Sequence, residues 1–351
     1  MREREENGRF SSMTQYFKKL FTKRGIIEFI KDKALLIALI IMMAIIAISD
    51  PNFISAKSLT SILVQSSTRI IVALGISLVL FTGGVDLSAG RMVGLAAVIS
   101  ASMLQNPDYS AMFFPNLPAL PVIIPILAAI AVCIVFGILN GVLVSKFNIP
   151  PFIATLGMMI ITYGINSLYF NMEPNNSQPI GGLRSDFTFL GTGSFLGIPI
   201  VVIIALVGII FIWILLNKTV LGKNIYAIGG NKDAALVSGI NVVATLILVY
   251  VIAAGMYGLG GVMEAARTGG ATNNYGDGYE LDAIAACVVG GVSTTGGVGR
   301  VSGIVIGALL LTIITYGLTF IGVNPQWQFV IKGLIIIVAV GFDVRKYIMK
   351  K

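Results

Sequence analysis

Apolar residues in this chain come in long runs divided by short polar stretches, and the runs lack the two-residue alternation of a strand. Crossing a hydrocarbon core of about 30 Å takes roughly 20 helical residues. Ten runs reach or approach that length: 34–49, 61–81, 88–104, 121–145, 152–170, 198–216, 243–262, 281–297, 301–321 and 327–342. The third and eighth are short and rich in glycine, a pattern that fits broken or re-entrant segments. Lipid offers an unpaired amide no partner, so such runs predict helices. Without alternation they do not read as barrel strands. The expectation is an all-α polytopic membrane protein of about ten transmembrane helices, with a tail at 1–33, a transmembrane domain at 34–343 and a second tail at 344–351.

Composition sharpens this picture. Of 351 residues 56% are hydrophobic and 11% charged, against roughly 25% charged in soluble domains. A mean hydropathy of +0.92 leaves too little polar surface for a soluble chain. The 40 glycines suit helices that approach closely in lipid. The net charge of +8 falls between the apolar runs and forms no single patch, which argues against nucleic acid as a partner. With the N-terminus inside, 19 of the 24 Lys and Arg fall on the inner side, counting Arg91, Lys146, Lys218, Lys223, Lys232 and Arg300 with the tails. Basic short loops stay cytoplasmic, so both termini are predicted there. No cleavable leader is evident, and 25–30 reads as a short interfacial helix within the basic tail. Cys133 and Cys287 lie in apolar runs and predict packing rather than a disulfide. The chain has no histidine, hence neither the commonest general base nor the commonest zinc ligand.

Two local patterns stand out. "LFTGGVDLSAGRMVGLAA" at 80–97 resembles "CVVGGVSTTGGVGRVSGIVIG" at 287–307. Each holds Gly-Gly-Val at an inner turn with an arginine opening the next helix. Two readings stand: a parallel repeat of one helical hairpin, or glycine turns that look alike. The longest inner loop, 217–242, has room for a short helix, with Asn231 as N-cap and Gly239 as the stop. By spacing alone it is equally an ordinary solvated connector.

Polar groups inside apolar runs are functional candidates by default. Gln65 and Arg69 share the second run; Arg69 is read as facing a path, snorkelling, or pairing with an acid of a second copy. Asp86 and Ser88 suit a capping role, and Glu280 and Asp282 sit where a helix dipole favours acids, with sugar-hydroxyl contact as the other reading. Asn140, Tyr163, Asn166 and Tyr169 are path candidates or helix-to-helix hydrogen-bonding groups; Tyr163, Asn166 and Tyr169 follow at three-residue spacing on one face. Asn273, Asn274, Tyr275 and Tyr279 are placed in an outer loop, and Lys332 is expected to snorkel. Two G-x-x-x-G ladders, Gly137 with Gly141 and Gly299 with Gly303 and Gly307, predict close helix packing.

"GGVDLSAGR", "NIPPFIATLGMMIITYGINSLY", "GKNIYAIGGNKDAALVSGI" and "YELDAIAACVVGGVSTTGGVG" resemble, in order, stretches of the ribose/galactose-type ABC importer permeases. "TRIIVALGIS", "ATNNYGDGYELDAIAACVVGG" and "GLTFIGVNPQWQFVIKG" are most similar to its galactoside branch. The likeness runs from about residue 52 to the C-terminus; the outer segment 172–196 carries no pattern of that family. The resemblance implies a permease fold in a bacterial inner membrane and a small sugar as cargo. It implies a homodimer, a sugar-binding protein outside, and a separate ATPase, possibly a fused tandem. The sequence itself holds no G-x-x-x-x-G-K-[ST] loop, so ATP and Mg belong to that partner and the chain is expected to carry neither a cofactor nor a catalytic group. The coupling segment it implies comprises Gly222, Lys223, Ile228, Gly229, Asn231, Ala234, Ala235, Ser238 and Gly239. Asn273, Asn274, Tyr275 and Tyr279 become the candidate contacts for the binding protein. The rival reading is an ion-gradient-driven transporter, which leaves the 222–240 segment without a purpose; an intramembrane enzyme lacks a nucleophile or carboxylate cluster.

Overall fold

The computed structural model describes residues 37, 40, 41 and 43–348. The tail at 1–33 with its 25–30 helix, residues 34–36, 38, 39 and 42 of the run at 34–49, and the last three residues lie outside them. Residues 43–49 are helical and lead to a 3-10 turn at Pro51–Ile54. Then follow α1 (Ala56–Phe81), α2 (Ala89–Met103), α3 (Ile123–Ser145), α4 (Pro151–Phe170) and α5 (Ser185–Thr192). A two-residue antiparallel pair, β1 (Ser194–Phe195) with β2 (Ile198–Pro199), precedes α6 (Ile200–Lys218), α7 (Val220–Gly230) and α8 (Lys232–Val237). The chain continues with α9 (Val242–Thr268), α10 (Tyr279–Val289), α11 (Val301–Phe320) and α12 (Pro325–Ile348), so residues 344–348 prolong a helix.

Among the described residues six helices, α1, α3, α4, α6, α9 and α11, are long and apolar enough to span a bilayer. The runs at 88–104 and 281–297 do not cross. At 1.5 Å per residue α2 and α10, with 15 and 11 residues, reach only about 22 and 16 Å. At one end of the molecule a glycine-rich turn at 82–84 precedes α2, and another at 290–299 cuts short the run at 281–297.

α1 is the central post. Its residues from Ile70 to Phe81 are all buried, and α9, α10, α11 and α6 pack round it. A helix apolar on every side is stable only where every side is covered. α3, α4 and α6 turn large apolar side chains such as Leu127, Ile160 and Phe211 outward, as helices in contact with lipid do. The glycine ladders work as close contacts. A Cβ on Gly137 or Gly141 would meet α9 at 2.6 and 2.8 Å, and on Gly303 or Gly307 would meet backbone of the Ala286–Gly290 stretch at 2.0 and 2.1 Å. The buried thiols of Cys133 and Cys287 donate to the carbonyls of Met92 and Ala73, both at 3.4 Å. α10 runs alongside α1 in the same direction, with Asp282 level with Arg69 and Cys287 with Ala73. α11 returns, placing Thr315 beside Arg69. The two Gly-Gly-Val turns thus share one end, but the first hairpin joins a long helix to a short one and the second a short to a long.

Candidate functional site

The end of the molecule that carries α7 and α8 is built on backbone contact. The Thr219 hydroxyl accepts from the amide of Gly222 at 3.2 Å and starts α7. Asn231 Oδ1 accepts from the amide of Ala234 at 2.9 Å and starts α8, and Gly239, at φ +83°, ends it in the left-handed region. Gly229 sits directly on α1: a Cβ there would lie 1.8 Å from the Phe81 carbonyl oxygen and 2.5 Å from the amide of Gly297. That amide donates to the Phe81 carbonyl at 3.0 Å. The Tyr226 ring packs on Phe81 with centroids 5.0 Å apart, and its hydroxyl donates to the Gly299 carbonyl at 3.3 Å. Burial pushes this phenol above its ordinary value. Three stretches of chain therefore meet with almost no side chain between them, a joint with little room to yield.

The coupling candidates divide at this joint. Gly222, Ile228 and Ala235 are buried against the protein itself and Gly229 is half-buried. Lys223, Asn231, Ala234, Ser238 and Gly239 face outward. Sequence reasoning missed Leu236 and Val237, which are 61% and 87% exposed at the tip of α8. Two large apolar residues in a six-residue helix flanked by polar ones are the signal that could have found them. Beside the joint a cavity of about 230 Å³ opens between Thr82, Asn148, Ile228, Lys232 and Tyr250.

At membrane depth the path candidates fall into three groups. In the first, Arg69 lies near the middle of α1 and pairs with Asp282 at 3.7 Å, while Lys332 reaches the same carboxylate at 2.8 Å. Arg69 donates to the Thr315 hydroxyl at 3.5 Å and lies 6.0 Å from the centroid of Tyr279, and Gln65 is half-buried one turn away. Lys332 therefore does not snorkel, because the half-buried Asp282 holds it, and Arg69 finds its acid within its own chain. Tyr279 is not in an outer loop: it opens α10 and donates to Glu264 at 3.0 Å, while Arg267 pairs with Glu264 at 2.5 Å.

In the second group Arg91 pairs with Asp277 at 2.6 Å and lies 4.5 Å from the centroid of Tyr163. Arg91 does not lie in an inner loop as expected: it stands in the first turn of α2, which begins inside the molecule. Asn166 donates to the Asn273 carbonyl at 3.3 Å, and Asn273 donates to the Ser167 hydroxyl at 3.3 Å. Of the four candidate binding-protein contacts only Asn274 is fully exposed; Tyr275 donates to Thr268 at 3.1 Å. Tyr169 stands apart, sharing a hydrogen bond with Ser102 at 2.8 Å and stacking on Phe113. The third group is sealed. Asn140 donates to Ser88 at 2.9 Å, and Ser88 donates to Asp86 through both its amide and its hydroxyl, at 3.0 and 2.5 Å. Ser88 therefore stands at the start of α2 without capping it, since its hydroxyl proton goes to Asp86 and not its oxygen to a helix amide.

Comparison with known proteins places this arrangement. A family described as branched-chain amino acid transport system / permease component matches residues 58–340. The galactose/methyl galactoside import permease protein MglC of Escherichia coli K12 is 49% identical over 94% of this chain and 98% of its own. The protein of the same name from Haemophilus influenzae is 49% identical over 92% and 97%. The ribose import permease protein RbsC of Escherichia coli K12 is 38% identical over 94% and 97%. No solved structure matches the chain. A family match across the described helices, joined to near-half identity along whole import permeases, means that this chain belongs to the branched-chain amino acid transport system / permease component family.

Proposed function

We propose that this protein is the permease subunit of an ATP-driven sugar importer of the bacterial inner membrane, and that galactose or a methyl galactoside is its cargo. Ribose or another monosaccharide is the nearest alternative cargo. The carrying observation is the joint at Gly229, where a helix pair ending in exposed Leu236 and Val237 rests on the backbone of α1 and of the 290–300 turn. Such a pair is a handle: apolar residues at its tip offer a docking surface, and its base has no slack. An ATPase that closes on α8 would move Phe81 and Gly297 together. The chain continues from these points through short turns, forward into α2 and back into α10, so a shift at the joint re-aims two half-length helices whose N-terminal ends lie deep in the molecule. That is how work done outside the bilayer would switch access within it.

Lys146, Lys218, Lys223, Lys232 and Arg300 gather at the joint end, which favours it as the cytoplasmic face with both termini on that side. A binding protein would dock at the opposite end, and two copies of the chain would surround the path. ATP and Mg would act in the ATPase, whether two chains or a fused tandem. Affinity purification of the tagged chain tests this reading. An ATPase and a galactose-binding protein should co-purify. A chain that purifies alone and transports on an ion gradient would overturn it.

A further inference from the structure

The loop between α9 and α10 descends from the end opposite α8 into the body of the molecule, and its far point meets α2. Gly276 and Gly278 adopt φ +77° and +75° there, and a Cβ on Gly90 would lie 2.3 Å from the Gly276 carbonyl. Asp277 is held against Arg91, which lies over Tyr163. Tyr163 is seven residues from the end of α4, so this cluster sits about 10 Å below that end and deeper still from the other. Irregular backbone at such a depth is tolerated only where protein buries it or water reaches it. The side chain of Asp277 is 66% exposed. A carboxylate in that position cannot face hydrocarbon, so this face of the molecule lines water.

The same cluster holds two unspent hydrogen-bonding atoms of opposite kind. Arg91 Nη1, a donor, and Asn166 Oδ1, an acceptor, are buried without a partner, and Asn166 is wholly enclosed. Buried groups of this sort normally have one. Tyr163, one turn from Asn166, is 38% exposed and offers an aromatic surface. Arg91 and Asp277 cancel each other's charge, and the Glu280 carboxylate packs beside them against Gly90. The exposed Asp277 carboxylate accepts hydroxyl protons and the half-exposed Tyr163 ring offers an apolar face, a pair that suits a neutral polyol.

Resting on the importer reading, we propose that the sugar passes over Asp277 and Tyr163, held from behind by Arg91 and Asn166, on the α2–α4 face, and makes its contacts in the membrane there rather than at Arg69, Asp282 and Lys332. The test is Asp277→Cys, with Asn274→Cys as a second probe in the same loop should the first fail to fold. Each is reconstituted with the ATPase and binding protein and treated with a membrane-impermeant thiol reagent, with and without D-galactose and ATP. Cys133 and Cys287 are buried and stay silent. The introduced thiol is expected to react from the α5 side. Saturating a weak site to about twice its Kd should slow that reaction roughly threefold, whereas Thr192→Cys on the exposed end of α5 should react at one rate throughout. A thiol reached only by a lipid-soluble reagent, shielded by a second copy of the chain, or modified at the same rate with and without galactose overturns the proposal. If the unsubstituted complex shows no ATP-driven galactose uptake, the importer reading fails instead.

Discussion

Asp282 bears the charge balance of the half-buried Arg69, Asp282 and Lys332 group, and replacing it with asparagine measures that burden. One carboxylate serves two cations, Arg69 at 3.7 Å and Lys332 at 2.8 Å, and all three side chains are 15–20% exposed. Removing one partner of a buried pair costs about 3–5 kcal/mol, because the other charge stays behind. With some solvent present the lower figure applies, and Asp282→Asn is expected to destabilise by ~3 kcal/mol. Lys332→Met leaves the Asp282–Arg69 pair standing and forfeits one hydrogen bond to a charged group, about 1.5 kcal/mol. Combining the two reverses the sign of the second step. In the Asp282→Asn background, Lys332→Met removes an unpaired cation and should restore about 1 kcal/mol. Unfolding in mixed micelles titrated with sodium dodecyl sulfate, followed by tryptophan fluorescence, gives all four stabilities. If Lys332→Met costs the same in both backgrounds, Asp282 and Lys332 do not share a charge balance and the reasoning fails.

Gly229→Ala drives a methyl into the Phe81 carbonyl; overpacking of this kind costs about 1–3 kcal/mol, and uptake should fall while the protein still inserts, as uptake assays beside membrane fractionation will show. Leu236→Asp combined with Val237→Asp alters only exposed side chains, so thermal stability should hold while retention of the ATPase on affinity purification is lost. Asn166→Leu should lower sugar transport more than ATPase retention; equal loss of both would undo its place on the path. Lys232, exposed beside the joint, should react with an impermeant amine reagent in inside-out vesicles and not in intact spheroplasts.

The long helices were legible because lipid leaves the backbone no alternative, and apolar length alone then announces a span, as in α3 and α6. The two half-length helices were harder. The runs at 88–104 and 281–297 have nearly enough apolar residues to cross, and their glycines do not reveal where the chain re-enters; only the contact of Gly276 with Gly90 shows that. The handle was partly readable, since Asn231 and Gly239 punctuate α8 by local chemistry that needs no tertiary context. Which face of α8 looks outward depends on what lies beneath it, so a helix pattern alone does not tell buried Ala235 from exposed Leu236 and Val237. The ion pairs escaped for a similar reason. Arg69, Asp282 and Lys332 are far apart in sequence, and no periodicity along one helix reports a partner on another.

The account turns on work entering through α8. Proteoliposomes holding this chain with its ATPase and a galactose-binding protein decide it, by uptake of labelled galactose with ATP supplied only to the α8 side and all ion gradients collapsed. Uptake that requires ATP and disappears when Val237→Asp is introduced together with Leu236→Asp is the predicted result. Uptake that continues without ATP on an ion gradient, or that survives both substitutions unchanged, would contradict it.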